Sequence, residues 1–332
     1  MNKQQYLIYR CLQTVFLIWL VVTFLWFFFR LLPGSFSDIM LQSGADPETV
    51  QAFREKWGLD DPLYVQYFQY IVNFVQLDMG TSVQHNEPVF EYVRMKIFNS
   101  IILVAPAITA SYIFGSVYGL LLAVKRGSKF ERYGVIPFIA ISSVPRFFLG
   151  IVFIVLFAGG VFQLLPAGGM IGMGTYQQFD SWWRPYLTVS FFRHWILPFT
   201  VVAIGYTFLP LLTMRTSVME TLGQEFISYR RMRGIPKGER LKQVAKHSIL
   251  PVLTIYPISM TRAIGGLVVI ETVFNWPGMG FALLQAVLSR DYPVAQFVFA
   301  LMAIIVIIAN FGVDILYGWI DPRVSVSDGA SE

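Results

Sequence analysis

Residues that carry out chemistry are scarce in this chain of 332 residues, which has one cysteine, Cys11, and three histidines, His85, His194 and His247. A single cysteine excludes an intramolecular disulfide framework. The histidines stand far apart, and no His or Cys spacing makes a metal-ligand set, so no metal is expected. A catalytic serine or cysteine needs a base beside it, and none can be placed, so no catalytic residue is assigned. The glycine runs GGMIGMG and PGMG lack the strand before and the Lys-Ser/Thr after that a phosphate loop needs, and the chain has no Gly-Lys dipeptide. Charged residues make up 14% against 55% hydrophobic, with mean hydropathy +0.58. Such a balance belongs to polytopic membrane proteins rather than soluble domains. The net charge of +5 sits beside apolar runs, which points to orientation in a membrane and not to nucleic acid.

What is present is length and apolarity. A hydrocarbon core of about 30 Å takes about 20 apolar residues of helix. Six stretches qualify, at 11–32, 97–124, 133–165, 195–214, 249–273 and 293–320, so an all-α polytopic membrane protein with six transmembrane helices is expected. The first run is long for the apolar part of a signal peptide and ends in LLPGS without an A-x-A site, so it reads as an uncleaved anchor. Lys3 and Arg10, then Lys125, Arg126, Lys129 and Arg132, then the segment 215–251 with eight Lys or Arg against three Glu, all fall on one face. That face is cytoplasmic by the positive-inside rule, and an even number of crossings returns both termini to it. Residues 33–96 carry nine Asp or Glu against four Lys or Arg and fall outside, with 167–194 and 276–292.

The expected division is therefore an N-terminus with the first transmembrane helix at 1–32 and an extracytoplasmic helical segment at 33–96. The transmembrane core follows at 97–320, including a cytoplasmic loop at 215–250, and a cytoplasmic tail closes the chain at 321–332. In the external segment, Pro47 after Asp46 opens an amphipathic helix that ends at Gly58, with Val50, Phe53 and Trp57 at helical spacing. Residues 63–77 form a second, aromatic-rich helix suited to an interface. The two make either a small extracytoplasmic cap on the bundle, the reading preferred, or a ligand site. After the third span, glycines and the pair Trp182 and Trp183 read as a loop against the membrane surface.

Charges inside spans are costly and so are functional candidates by default. These are Arg146, Arg262, Glu271 and Asp314. Arg146 follows Pro145, which with Pro137 interrupts the hydrogen bonding of the third span; it is either functional or placed near headgroups or in a structural pair. Arg262 and Glu271 lie nine residues apart, on opposite sides of a helix by about 180°. Asp314 lies near the cytoplasmic end of the sixth span, where water or a basic loop is within reach.

The segment 215–251 is the longest polar interval of the second half. In QEFISYRRMR, Phe226, Tyr229 and Met232 make one apolar stripe on a short helix. Gly234 stops that helix, and Pro236 opens another whose stripe is Leu241, Val244, Ala245 and Ile249. Such a pair is either a docking connector for a partner or a basic surface lying on anionic lipid.

The motifs LLPG, GLDDPLYVQY, LDMGTSV, LLAVKRGS, LPAGGM, RGIPKGERLKQVAKHSILPVLT, VIETVFNWPGMG, SRDYP and VDILYGWIDPR occur in that order. With them the chain resembles the first of the two permease subunits of ATP-binding-cassette importers of the dipeptide, oligopeptide and nickel class. The resemblance implies a type I importer (MetI-like) transmembrane domain with an extended external segment after its first helix. It implies that 215–250 is a coupling loop whose short helix sits in a cleft of an ATPase subunit. Gly234 then matches the glycine of the family's Glu-Ala-Ala motif, and the three named positions fall on Ser228, Tyr229 and Arg230, a departure from the literal letters. Arg231 and Arg233 complete the coupling set, and Arg146 stands where the resemblance would place a small polar residue.

The resemblance further implies alternating access, with residues 276–280, including Trp276, Gly278 and Gly280, contacting a binding protein or gating the pathway. The partners implied are a second homologous permease, one or two cytoplasmic ATPase subunits, an extracytoplasmic substrate-binding protein and membrane lipid, with no nucleic acid. ATP and Mg would belong to the ATPase subunits, and this chain would hold no cofactor and catalyse no reaction. Localisation in the cytoplasmic (inner) membrane follows. Peptides are the expected substrate, with nickel, glutathione or oligosaccharides as alternatives on the same scaffold. A stand-alone secondary transporter would instead use Arg146, Arg262, Glu271 or Asp314 as coupling charges, and a scaffold would only anchor cytoplasmic proteins.

Overall fold

The computed structural model describes residues 3–31, 46–56, 61–172 and 181–320. Its regular elements are helices, apart from an isolated antiparallel bridge between Thr81 and Pro88. The helices are α1 (Lys3–Leu31), α2 (Pro47–Lys56), α3 (Leu63–Val75), α4 (Val89–Val124), α5 (Lys129–Gly134), α6 (Ile136–Ser142) and α7 (Arg146–Ile154). They continue with α8 (Val189–Leu222), α9 (Glu225–Met232), α10 (Lys237–Ser248), α11 (Leu250–Val273), α12 (Met279–Leu288) and α13 (Tyr292–Ile320).

Among the described residues five stretches are long and apolar enough to cross a membrane: Leu7–Leu31, Val89–Val124, Val189–Leu222, Leu250–Val273 and Tyr292–Gly312. Helices are the form expected there, because each satisfies its own backbone donors and acceptors where water is absent. The third span, expected over 133–165 with interruptions at Pro137 and Pro145, is a pair of helices, Lys129–Ser142 and Arg146–Gly159, bent by 97°, which makes a sixth span if the two are taken together. The cause is Pro145, which has no N–H to donate and excludes helical backbone from Val144 before it. Pro137, in contrast, stands in the first turn of α6, where its missing donor costs nothing. Past α7 the helix widens into a π turn over Val155–Gly159.

Helices form at both places expected between the first and second spans, although Trp57 and Gly58, the expected end of α2, lie outside the described residues, as does the tail at 321–332. Val50 of α2 is buried.

The chain divides into two compact units. The first comprises Met1–Ile101, Leu267–Thr272 and Pro277–Glu332. Its core joins Val22, Trp26 and Phe29 of α1 to Tyr70 of α3, Val93 of α4, Met279 and Leu283 of α12, and Phe297 and Val298 of α13. Arg30, near the end of α1, lays its guanidinium over the Trp26 ring at 4.2 Å and donates to the Gln66 side chain, so a cation at the edge of a span is held by an aromatic face and an amide. Asp291, buried just before α13, accepts from the Ser82 hydroxyl at 2.5 Å and the Gln84 N–H at 3.2 Å.

The second unit comprises Ile102–Gly266 and Val273–Trp276. Within it α4 crosses α8 so closely that a side-chain carbon at Gly119 would collide with the Leu211 carbonyl. Small residues at such crossings are how spans pack when lipid is as apolar as their side chains. Ser128 caps α5 by accepting from Glu131 N–H at 3.2 Å, and the Glu131 carboxylate takes the Gly127 N–H at 2.7 Å and pairs with Arg215 of α8 at 2.6 Å. The loop after α4 is thereby tied to α8.

Candidate functional site

The α9–α10 hairpin is built around one residue. Gly234 has φ +71°, a left-handed conformation that side chains with a Cβ resist. Its N–H donates to Arg231 O at 3.1 Å, and the next N–H, of Ile235, reaches back to Arg230 O at 3.2 Å. These two bonds are the Schellman closure of a helix C-terminus, which satisfies carbonyls that α9 would otherwise leave open. Pro236 follows and starts α10. The hinge read from Gly234 and Pro236 is thus present as a fixed turn.

The stripe expected on α9 divides. Phe226 turns inward and packs on the His247 ring of α10 at 5.3 Å, while Ile227, outside the expected stripe, is buried. Tyr229 and Met232 point outward, 59% and 78% exposed. Arg233 extends beside Tyr229, its guanidinium 5.8 Å from the ring, and Arg230 lies likewise over Phe226. Ser228, Arg231 and Arg233 are exposed. The stripe on α10 does face inward: Val244 is fully buried, Leu241, Ala245 and Ile249 are half-buried, and Ser248 donates to the Thr221 hydroxyl of α8 at 3.0 Å. The hairpin therefore presents an aromatic, thioether and guanidinium face outward on a turn anchored to α8.

Two of the in-span charges, Arg146 and Arg262, lie in the second unit and both bear on Tyr206. Arg146 opens α7 directly after the bend and lays its guanidinium over the Tyr206 ring of α8 at 3.9 Å. Tyr206 stands in the electrostatic field of both Arg146 and Arg262. Trp276 is fully buried against the Phe191 ring at 5.9 Å. An indole at the end of an apolar run packs as readily as it projects, and position alone does not distinguish the two.

Glu271 belongs to the first unit and is fully buried. Its carboxylate accepts from the Ser100 hydroxyl at 2.5 Å and the Phe281 N–H at 2.8 Å, while Ser100 accepts from Met279 N–H at 2.8 Å. These amides are the open first donors of α12, whose N-cap, Gly278, has no side chain to satisfy them. Gly278 also leaves the room: a Cβ there would overlap the Glu271 carboxylate, and one at Gly280 would press on Val268. Glu271, Gly278 and Gly280 thus form one cluster in which a distant carboxylate caps a short apolar helix. For Asp314 only the helical backbone of α13 is described, and its side chain lies outside the described residues.

Sequence reasoning missed Asp291 with Ser82 and Glu131 with Arg215. The first sits in the quoted SRDYP string, and the second in a Ser-x-x-Glu capping signal at 128–131. Both partners are far off in sequence.

Comparison with known proteins places these features in a family. Residues 115–326 match the family described as binding-protein-dependent transport system inner membrane component, and residues 3–109 match its N-terminal companion. The chain is 33% identical over 281 residues, 84% of its length and 85% of the relative's, to a protein of Brucella suis biovar 1 (strain 1330) that carries the name of a peptide permease. It is 29% identical over 323 residues, 96% and 98% of the two lengths, to the oligopeptide transport system permease protein AppB of Bacillus subtilis (strain 168). Similarity to the glutathione transport system permease protein GsiC of Escherichia coli O6:H1 is 29% over 320 residues, again 96% and 98%. The ordered motifs, the helical architecture and these matches agree: the chain belongs to the binding-protein-dependent transport system inner membrane component family, as a multi-pass permease subunit of an ATP-binding-cassette importer in the inner membrane.

Proposed function

We propose that this permease carries peptides inward by alternating access and that the α9–α10 hairpin is where a cytoplasmic ATPase drives it. The outward face of α9 carries this reading. Tyr229 and Met232 offer apolar contact, Arg231 and Arg233 offer charge, and the Gly234 turn holds them at a fixed angle. Ser228, Tyr229 and Arg230 occupy the motif positions without the motif letters, so the geometry rather than the side-chain identities supports docking. In this reading the hairpin, the loop at 125–132 and both termini are cytoplasmic. A second homologous permease completes the pathway, one or two ATPase subunits bind and hydrolyse ATP with Mg, and an external binding protein delivers substrate. The segment 33–96 is the external addition, 97–320 the transport core and 321–332 the tail.

Peptides are supported by the names of the relatives, one a peptide and one an oligopeptide permease by name. The glutathione permease is a variant of the same reading, since glutathione is itself a short peptide. The test is uptake by the permease reconstituted in proteoliposomes with its ATPases, second permease and binding protein. Labelled di- and oligopeptides are expected to enter only with ATP, ahead of glutathione, nickel and oligosaccharides. Uptake that persists without the ATPases would show a secondary transporter instead.

A further inference from the structure

We infer that Arg146 and Arg262 form an anion subsite on the translocation pathway that takes the terminal carboxylate of the passing substrate. The inference rests on the peptide-permease reading and specifies which part of the peptide this subunit holds.

The geometry begins at the broken third span. Pro145 ends α6–α7 continuity, and Arg146 then projects toward α8. Its stem runs along Gly205, where an added Cβ would stand 3.3 Å from Arg146 Cγ and Cδ. Its guanidinium stacks on Tyr206 at 3.9 Å, and Nη1 lies 4.0 Å from where a side chain on Gly266 of α11 would begin. Gly266 is one turn past Arg262, so the two positions share a helix face about 6 Å apart. Tyr206 and Tyr112 both lie in the field of Arg262. The Arg146 guanidinium and its aromatic floor thus lie beside the helix face that carries Arg262.

Depth makes the patch costly unless it is used. Gly205 stands at the middle of α8 and Arg262 at the middle of α11. Both arginines are exposed, and among the described residues neither has a carboxylate within ion-pair distance. An exposed guanidinium near mid-bilayer is disfavoured against lipid and tolerated against a water-filled cavity. The face bearing both therefore belongs to the pathway. Two like charges on one patch also repel, and an anion between them is attracted to both. Planar guanidinium groups offer paired donors that match a carboxylate, and the stacked Tyr206 keeps the Arg146 plane fixed. Every unmodified linear peptide ends in a carboxylate whatever its side chains, so such a subsite holds the constant part of a variable cargo. A partially hydrated site of this kind binds weakly enough to release.

The test uses the complete transporter with alanyl-alanine and its C-terminal amide, each loaded to saturation on the binding protein. The wild type is expected to import the free-carboxylate form about 10- to 100-fold faster, the range of one charge-assisted hydrogen-bonding contact. Arg146→Gln and Arg262→Gln are expected to bring that ratio close to one by slowing the free-carboxylate form alone, with Arg146→Lys intermediate. In parallel, alanyl-alanine but not the amide should protect both arginines from phenylglyoxal, read by peptide mass spectrometry. Equal slowing of both peptides by the Gln variants, with no protection, would overturn the subsite and assign the arginines to packing or to the partner permease. Import of both forms with neutral variants and no protection overturns the subsite and leaves the peptide reading standing. Protection without import of either form overturns the peptide reading and leaves the subsite standing.

Discussion

The Ser100 hydroxyl and the Glu271 carboxylate meet at 2.5 Å although 171 positions separate them, and together they accept the first free amides of α12. Glu271→Ala removes a buried acceptor from two donors, so a loss of about 2–3 kcal/mol is expected. Glu271→Gln keeps one acceptor oxygen and should lose less. Thermal unfolding of the purified complex, followed by tryptophan fluorescence, orders the variants; equal midpoints for Ala, Gln and wild type would refute the cap.

Asp291→Ala should release the segment around Ser82 and Gln84, which it holds by a hydroxyl and an amide. Hydrogen exchange of residues 81–88 is the measurement, with faster exchange expected there and no change on α8. Unchanged protection at 81–88 would contradict the tether.

Gly119→Leu places a branched side chain where the Leu211 carbonyl already sits. Overpacking of this kind costs about 1–3 kcal/mol, and more where backbone must move. Less folded protein recovered from membranes is expected, with Gly127→Ala as the control, since a Cβ there meets nothing within 4 Å. That control has its own left-handed φ of +81°, so it separates crowding from backbone strain.

Gly234→Ala should cost about 1–2 kcal/mol of local stability because its φ is left-handed. The expected result is reduced uptake per ATP hydrolysed while the spans stay folded. The double reversal Arg231→Glu and Arg233→Glu should weaken ATPase association in a salt-dependent way, since both side chains are exposed. Copurification of the ATPase at rising ionic strength is the measurement, and full retention of the ATPase by the double variant would count against docking on this face.

Much of the fold was legible because bilayer thickness sets span length, which is read from local composition. The α9–α10 turn was legible for the same reason: Gly234 and Pro236 act on their own backbone. What sequence left unread depends on distant partners. Phe226, Tyr229 and Met232 have one periodicity but two fates, because His247 attracts the first and nothing in α10 covers the others. Trp276 packs on Phe191, 85 positions away, a neighbour that its place at the end of an apolar run does not reveal. The bend at Pro145 was foreshadowed, yet its 97° angle is a matter of packing that no single residue encodes.

The Schellman turn at Gly234 has a mechanical meaning. Two backbone bonds and a proline leave residues 233–236 little freedom to swivel, so, on the proposed docking of an ATPase, a push on α9 would be delivered rather than absorbed. Through α10 and the Ser248–Thr221 bond such a load would arrive at the end of α8. In that reading the hairpin works as a crank, and a floppier joint with the same side chains would let the motion slip.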